Sequence, residues 1–239
     1  MSDHLHQAEQ PGHLIEVTSL SKRYRRAPVL RDLTFQVGAG ELVALVGANG
    51  SGKSTVLKCL IGLARPSGGR ASIGGRPLHD HARPARWVGV QIDLVQPDDR
   101  VTGRDHLDLV HGWAGDHRAA SSDRLVAALE MGPYLDEQIG TYSTGMRRRL
   151  ALVAALMFDP PVLLFDEPTN GLDPWATAWL AAELRRRRDA GAAVLVATHD
   201  LEWAAAVADR VIGIRDGAIW IDAPVDDRGM PDGLRVGGA

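Results

Sequence analysis

The sequence predicts an α/β fold in which a mainly parallel β-sheet carries helices on its faces and a helical region interrupts the alternation. Short apolar runs alternate with helical patterns on both sides of that region, which is typical of such a sheet. The run 42–46 contains no polar residue, as expected for a strand that is buried on both faces. The chain has 239 residues, of which 45% are hydrophobic, and this length suits one such domain.

The predicted elements follow one another along the chain. Strands are predicted at 14–17, 33–37 and 42–46, and a glycine-rich turn then leads to a helix over 53–63. Helices at 102–113, 122–131 and 145–158 carry little strand signal, so we expect a helical subdomain at about 94–158. The alternation then resumes with strands at 162–165, 193–197 and 210–214 and helices at 175–188 and 201–208. We expect flexible ends at 1–12 and 226–239, which leaves one domain over 13–225.

Composition excludes several classes of protein. The formal net charge is -3, from 27 Lys and Arg against 30 Asp and Glu, so we expect no nucleic acid as a partner. The arginine runs 147–149 and 185–188 are interpreted as solvated helix faces. The single cysteine, Cys59, falls in an apolar helical pattern and favours a buried residue in a reducing compartment. No apolar run reaches the length of a membrane span, so a membrane role requires a partner.

A phosphate-binding loop is the strongest motif. Residues 47–55 read GANGSGKST and match G-x-x-x-x-G-K-[ST]. A buried strand precedes the loop and a helix follows it, which argues against a glycine-rich turn with a stray lysine. We expect backbone N–H groups to surround phosphates, Lys53 to neutralise the β- and γ-phosphates, and Ser54 to bind Mg²⁺. The predicted nucleotide-binding residues of the loop are Gly47, Asn49, Gly50, Ser51, Gly52, Lys53, Ser54 and Thr55.

Two acidic residues end a later apolar strand. Asp166 and Glu167 follow the run 162–165, and the carboxyl end of a parallel strand lies beside the phosphate loop in such sheets. We expect Asp166 to hold Mg²⁺ and Glu167 to orient or deprotonate an attacking water. Kinases, GTPases and many ATPases share the phosphate loop, so the loop alone predicts nucleotide phosphates and no more. A strand that merely ends in solvated acids is the alternative for the pair, and the phosphate loop argues against it.

Five further stretches resemble the nucleotide-binding domain of ABC transporters, in the order expected for that family. Residues 142–146, YSTGM, look like a variant of its signature motif. Residues 170–174, NGLDP, and 198–200, THD, resemble its dimer loop and its histidine switch. Tyr24 stands where the family places an aromatic ring against adenine, and Asp93 stands in the coupling loop. The resemblance covers residues 14–225 and implies a P-loop NTPase fold with antiparallel N-terminal strands and an inserted helical subdomain.

The resemblance also implies roles for these residues. Ser143, Thr144 and Gly145 would contact the γ-phosphate bound to the opposite subunit, His199 would reach the γ-phosphate as a second catalytic residue, and Asp173 would link the subunits. Purely structural roles stay open as alternatives: Ser143 and Asp173 are also good N-caps for the helices that follow them. Tyr24 is also compatible with a partly buried strand tyrosine.

Departures from the family pattern concern two motifs. Asp93 replaces the usual glutamine of the coupling loop, with Gln91 two residues earlier and Gln96 nearby, so Asp93 is only an alternative ligand for Mg²⁺. Thr144 replaces a glycine of the signature, a version similar to that of some bacterial drug-, antibiotic- and bacteriocin-export ATPases.

The resulting hypothesis is the ATP- and Mg²⁺-dependent subunit of an ABC transporter that powers export through a separate integral-membrane permease. It would work as a homodimer or as a heterodimer with another ABC ATPase, on the cytoplasmic side of the membrane, where the permease holds it. The alternative is a soluble ABC-type ATPase that acts on ribosomes or DNA, and a small-molecule kinase or GTPase ranks third.

Overall fold

The computed structural model describes residues 13–25, 27–92, 97–115, 120–226 and 229–235. Asp93, Gln96 and the N-terminal segment 1–12, which were assigned to the coupling loop and a flexible end, lie outside the described residues.

Nine strands form two sheets within these ranges. In chain order the strands are β1 (His13–Tyr24), β2 (Ala27–Gly38), β3 (Leu42–Val46), β4 (Gly68–Ile73), β5 (Val88–Gln91), β6 (Val162–Asp166), β7 (Ala193–Thr198), β8 (Arg210–Arg215) and β9 (Ala218–Pro224). A three-stranded antiparallel sheet has the order β2-β1-β4, and a six-stranded sheet has the order β5-β6-β7-β3-β8-β9. All neighbours in the larger sheet are parallel except β9, which pairs antiparallel with β8. The predicted fold class is therefore confirmed.

The helices lie mainly between and outside these strands. In chain order they are α1 (Lys53–Leu60), α2 (Pro84–Trp87), α3 (Gly103–Ala114), α4 (Ala120–Ala128), α5 (Thr144–Leu156), α6 (Pro174–Asp189), α7 (Leu201–Val207) and α8 (Asp232–Arg235). Three short 3₁₀ turns, at Leu78–Asp80, Gly132–Tyr134 and Ile139–Thr141, join some of them. Helices α3, α4 and α5 form the helical region that the sequence predicts.

The central strands are buried on both faces because every residue of β3, β6 and β7 is apolar or lies at a strand end. Alternate residues of β3 point into two different cores. Leu42, Ala44 and Val46 pack with α5, α6 and α7, whereas Val43 and Leu45 pack with α1 and the antiparallel sheet. The loop after β3 therefore leaves the sheet between two packed layers, which fixes its position.

Helix α6 corrects the interpretation of residues 185–188 as a solvated arginine run. Arg187 is only 3% exposed. Its guanidinium pairs with Glu183 at 2.8 Å and with Asp159 at 3.0 Å. The helix turns this side chain toward the segment before β6, and burial is tolerated because both carboxylates pair with it.

Residues 229–235, which belong to the segment 226–239 predicted as a flexible tail, pack against the domain, whereas 227–228 and 236–239 lie outside the described residues. Met230 and Leu234 are buried and belong to the core beside α6 and α7. A Cβ added at Gly233 would lie 3.3 Å from Ile221 Cδ1 and 3.5 Å from Trp220. Strand β9 brings the chain back along the sheet edge, so apolar residues of the tail meet apolar residues of β9.

Among the helices of the described ranges, none combines the length and apolar character of a membrane span. Cys59 is buried in α1, as predicted, and burial raises the pKa of its thiol.

Candidate functional site

The loop between β3 and α1 depends on glycine at three positions. Gly47, Gly50 and Gly52 have φ values of 155°, 81° and 115°. A Cβ at Gly47 would lie 2.3 Å from the carbonyl oxygen of Ile214, and one at Gly52 would lie 2.6 Å from Leu30 Cδ2. A side chain at Gly47 or Gly52 would meet these close approaches, and the positive φ at all three positions is unfavourable for residues other than glycine. The loop is thus fitted between β8 and β2.

Lys53 begins α1 and turns back over this loop. Its Nζ donates to the carbonyl oxygens of Gly47 at 2.7 Å and Ala48 at 3.2 Å. The same Nζ lies 3.9 Å from Glu167 Oε1. Burial lowers the pKa of Lys53, and the charges of Glu167 and Asp166 oppose that shift. A partly desolvated ammonium at this point is a strong electrostatic partner for phosphate oxygens.

Hydroxyl groups line the same loop. Ser51 and Thr55 are buried and Ser54 is half-buried. Within the described residues, Ser51 Oγ has no hydrogen-bond partner, although buried hydroxyls normally have one. Asn49 and Gly50 are exposed and border an open cavity of ≈ 840 Å³. The loop therefore presents buried polar groups beside a space large enough for a nucleotide.

Three strands bring the remaining groups to this loop. In the register of the sheet, Val46 of β3 pairs with Thr198 of β7, and Asp166 of β6 pairs with Ala197 of β7. The carboxyl ends of parallel strands meet at one edge, so the residues that follow each strand gather there.

The acidic pair occupies this edge as predicted. Asp166 is buried at the end of β6. Glu167 has a φ of 45°, which is unusual for a residue with a side chain, and its N–H donates to the carbonyl oxygen of Ala197 at 2.8 Å. Glu167 Oε2 accepts from Thr198 Oγ1 at 3.1 Å and the N–H of His199 at 3.3 Å, and it lies 2.9 Å from His199 Nδ1. The carboxylate is thus held in one orientation by β7.

The described residues offer a magnesium site only in part. Among them, no group of three or more His, Cys, Asp or Glu side chains is arranged to hold a metal. Ser54 and Asp166 present hard oxygen donors, the type that Mg²⁺ prefers, and this ion usually takes its other ligands from water and phosphate. This donor set fits a magnesium ion that arrives with a nucleotide.

The signature segment forms the N-terminus of α5. Ser143 is the N-cap of this helix, and its Oγ accepts from the N–H of Met146 at 3.2 Å. Ser143 and Thr144 are exposed. Gly145 packs closely against the loop after Glu167, because an added Cβ would lie 3.2 Å from the carbonyl oxygen of Gly171. The N-cap interpretation of Ser143 thus holds, and a helix start of this kind leaves its first N–H groups without partners inside the helix.

Asp173 caps α6 and also contacts α5. Its Oδ1 accepts from the N–H of Ala176 at 2.8 Å, and its Oδ2 accepts from Arg149. These bonds, that of Ala176 first, hold the pKa of the Asp173 carboxyl below its ordinary value. Arg148 Nε donates to the carbonyl oxygen of Asn170 at 3.1 Å. The interpretation of 147–149 as a solvated helix face is wrong for Arg149, whose side chain is only 17% exposed and pairs with Asp173. The sequence analysis predicted neither arginine contact, although two cations on the signature helix and an acid at 173 were a signal for them.

Tyr24 and Gln91 lie outside this arrangement. Tyr24, at the end of β1, is 46% exposed, with Lys22 Nζ 4.6 Å from its ring centroid. The ring is therefore more open than a partly buried strand tyrosine. Gln91 is 3% exposed and pairs with Phe165 across β5 and β6. Within the described ranges, Gln91 Oε1 has no hydrogen-bond partner.

A groove of ≈ 570 Å³ runs between β5 and the helices α3 and α5. Its lining is mainly apolar and includes Gln91, Val110, Trp113, Ala151, Ala154 and Phe158. Trp113 is 62% exposed. An exposed tryptophan beside an apolar groove is typical of a protein-binding surface.

Comparison with known proteins gives consistent relatives. The family model described as "ABC transporter" matches residues 30–170. The chain is 39% identical over 209 residues to the Nod factor export ATP-binding protein I of Burkholderia orbicola, covering 85% of this chain and 68% of that protein. It is 34% identical over 225 residues to a fluoroquinolones export ATP-binding protein of Mycobacterium tuberculosis, covering 89% of this chain and 72% of that one.

Solved structures agree in fold. An ATP-binding subunit of an ABC transporter is 32% identical and superposes with a TM-score of 0.78, covering 90% of this chain and 91% of that one. A bacterial ABC transporter cassette described as dimeric has a TM-score of 0.78 at 23% identity, covering 89% of this chain and 99% of that one. At that identity the second likeness shows the fold alone.

Proposed function

Because the chain belongs to the ABC transporter family of ATP-binding proteins, whose cassettes hydrolyse ATP, we propose that it drives export through a separate membrane permease with Mg²⁺ as cofactor. One observation carries this proposal. Lys53 of the phosphate loop and His199 after β7 both meet Glu167 at the carboxyl edge of the parallel sheet.

Each residue has a distinct part in hydrolysis. The loop N–H groups and Lys53 bind the β- and γ-phosphates. Glu167 orients a water for attack on the γ-phosphorus and accepts a proton from it, while the bond to the bridging oxygen breaks to give ADP and phosphate. His199 fixes Glu167 and borders the same cavity. Mg²⁺, held by Ser54 and Asp166, would neutralise phosphate charge.

A second subunit would complete the site. Within the described residues, Ser143 to Gly145 do not border the cavity at the phosphate loop. They form an exposed helix N-terminus, which attracts anions. We therefore propose that two copies, or one copy and a related ATPase, pair head to tail with each signature segment on the other's ATP.

The groove beside β5 is the proposed binding surface for the permease, which would hold the chain on the inner face of the membrane. A short helix of the permease would place apolar side chains against Trp113 and the apolar lining of the groove. The names of the relatives, which are export ATP-binding proteins, support export as the direction.

Glu167→Gln tests the catalytic part of the proposal. Glutamine keeps the shape but cannot accept the proton, so hydrolysis should fall about 100-fold or more. ATP should then stay bound, and light scattering should show a dimer with Mg-ATP. Glu137→Gln, which changes an exposed carboxylate of the helical region, should behave as wild type. A Glu167→Gln protein that stays monomeric at saturating Mg-ATP contradicts the paired mechanism.

Trp113→Ser tests the permease surface. The exposed ring contributes apolar area to the groove, so its loss should lower the amount of chain retained by vesicles that carry the permease. Leu63→Ser removes an equally exposed apolar side chain outside the groove and serves as the control. Equal retention of both variants would move the permease surface elsewhere.

A further inference from the structure

We propose that Arg148 and Arg149 are positioning residues that hold the loop 170–173 of their own subunit. Through this loop, the signature segment and Glu167 of one chain would move together. In the proposed dimer this would link the two ATP sites, and the inference rests on that dimer.

Arg149 is held from three sides. Its Nη2 pairs with Asp173 Oδ2, and its Nη1 donates to Leu129 O at 3.2 Å and Glu130 Oε2 at 3.3 Å. Its guanidinium lies 5.4 Å from the centroid of the Trp175 ring. A planar guanidinium makes these contacts at once, whereas a lysine ammonium has no such fork. Arg149 thus connects α5 both to the N-terminus of α6 and to the residues that follow α4.

Arg148 and Gly171 strengthen the same contact. Arg148 Nε donates to Asn170 O at 3.1 Å. A Cβ at Gly171 would lie 3.0 Å from Thr144 Cγ2, so the loop backbone packs directly on the start of α5. Gly171 has a φ of 78°, which glycine adopts without strain. The first two turns of α5 therefore contact the loop through side chains and backbone.

The loop is tied in turn to Glu167. The N–H of Asn170 donates to Glu167 O at 3.2 Å, and that of Leu172 donates to Thr169 O at 3.1 Å. Asp173 then caps α6. Consecutive hydrogen-bonded turns leave this segment little freedom, so a displacement of α5 is passed to the backbone of Glu167.

The consequence appears when two subunits pair. The N-terminus of α5 would contact ATP in one site, while Glu167 of the same chain would act in the other site. Closure on the first ATP would thus place Glu167 correctly for the second. Coupling between two binding sites commonly amounts to about 5- to 150-fold in affinity.

Arg149→Ala separates this role from general stability. Wild type should hydrolyse ATP with a Hill coefficient above about 1.3, whereas the variant should show a coefficient near 1 and a kcat about 10-fold lower. The ATP affinity of its monomer should stay within about twofold of wild type, because the phosphate loop is untouched. Arg149→Lys should fall between the two.

Asp173→Asn provides a second variant with the N-cap acceptor intact and the ion pair weakened. It should lower the Hill coefficient in the same direction, and adding Arg149→Ala to it should cause little further loss. If Arg149→Ala does not fold, the Hill coefficient of Asp173→Asn alone tests the inference. Arg104→Ala, which removes the exposed ion pair with Asp136, should leave both parameters unchanged.

Failures of the two proposals can be told apart. A wild-type chain that does not hydrolyse ATP would defeat the proposed function. A wild-type chain that hydrolyses ATP without cooperativity would overturn the inference alone, as would Arg149→Ala or Asp173→Asn with wild-type kcat and Hill coefficient.

Discussion

The phosphate loop and the signature segment, Ser143 to Gly145, differ in whether a single chain forms a complete binding site around them. Lys53 is 5% exposed and hydrogen-bonded within the loop, whereas Ser143 and Thr144 are exposed at a helix start. The first site is formed by contacts inside the domain. The second has the chemistry of an anion site but, within the described residues, does not line the cavity at the phosphate loop of its own chain. A segment that serves the ATP of another subunit should have this placement.

Gly47→Ala should have the largest effect and would test whether the phosphate loop is as constrained as this contrast requires. The added Cβ would approach the backbone of Ile214 to 2.3 Å. We expect a loss of about 3 kcal/mol or more in the free energy of unfolding, with loss of ATP binding. Urea denaturation and ATP titration measure both.

Gly50→Ala is the matched substitution, since a Cβ there would meet nothing within 4 Å. Only its φ of 81° is unfavourable, at about 1–2 kcal/mol. Equal destabilisation by the two variants would show that close packing does not define this loop.

Lys53→Ala should have the next largest effect. It removes the ammonium that faces the phosphates and pairs with Glu167, so kcat/KM should fall about 100- to 1,000-fold. Binding of ATP to the monomer should weaken as well. A variant that binds ATP normally as a monomer would show that the loop backbone suffices for binding.

Ser143→Ala should affect only the paired state. We expect hydrolysis and ATP-dependent dimerisation to fall about 10- to 100-fold, while the monomer binds ATP as before. Loss of the N-cap also costs about 1 kcal/mol. Thr102→Ala removes the N-cap of α3 and controls for that loss. Weaker ATP binding by the Ser143→Ala monomer would contradict this comparison, because Ser143 would then contribute to the ATP site of its own chain.

An alkaline pH series should give the smallest effect. Burial lowers the pKa of Lys53 below its ordinary value of 10.5, so the unfolded chain binds more protons between those two pKa values. The stability contributed by Lys53 therefore rises with pH there, while ATP affinity falls as the ammonium is lost. Calorimetric ATP titration from neutral to alkaline pH checks this, and Lys53→Arg should abolish the decline. A decline that persists in Lys53→Arg would assign it to another group.

The sequence predicted those parts of the site that consist of residues close together in the chain. The loop 47–55 and the pair Asp166-Glu167 each depend on a strand and the residues just after it, and both lie where predicted. Strand β9 was missed because it is partly exposed and its continuous apolar run, 218–221, is only four residues long. Arg187 and the Arg149–Asp173 pair were missed because partners distant in sequence leave no periodicity. The trans contact of Ser143 and the role of Asp93 remain predictions.

The left-handed backbone at Glu167 has an evolutionary consequence. At a φ of 45°, glutamate has a less favourable backbone free energy than glycine or asparagine would have. Sites of this kind lower the stability of the protein in exchange for activity. Selection for heat tolerance alone should therefore enrich glycine or asparagine at 167 among survivors, and those survivors should no longer turn over ATP. The frequency of glycine and asparagine at position 167 in the sequenced survivors would show whether the orientation of this carboxylate lowers the thermal stability of the chain.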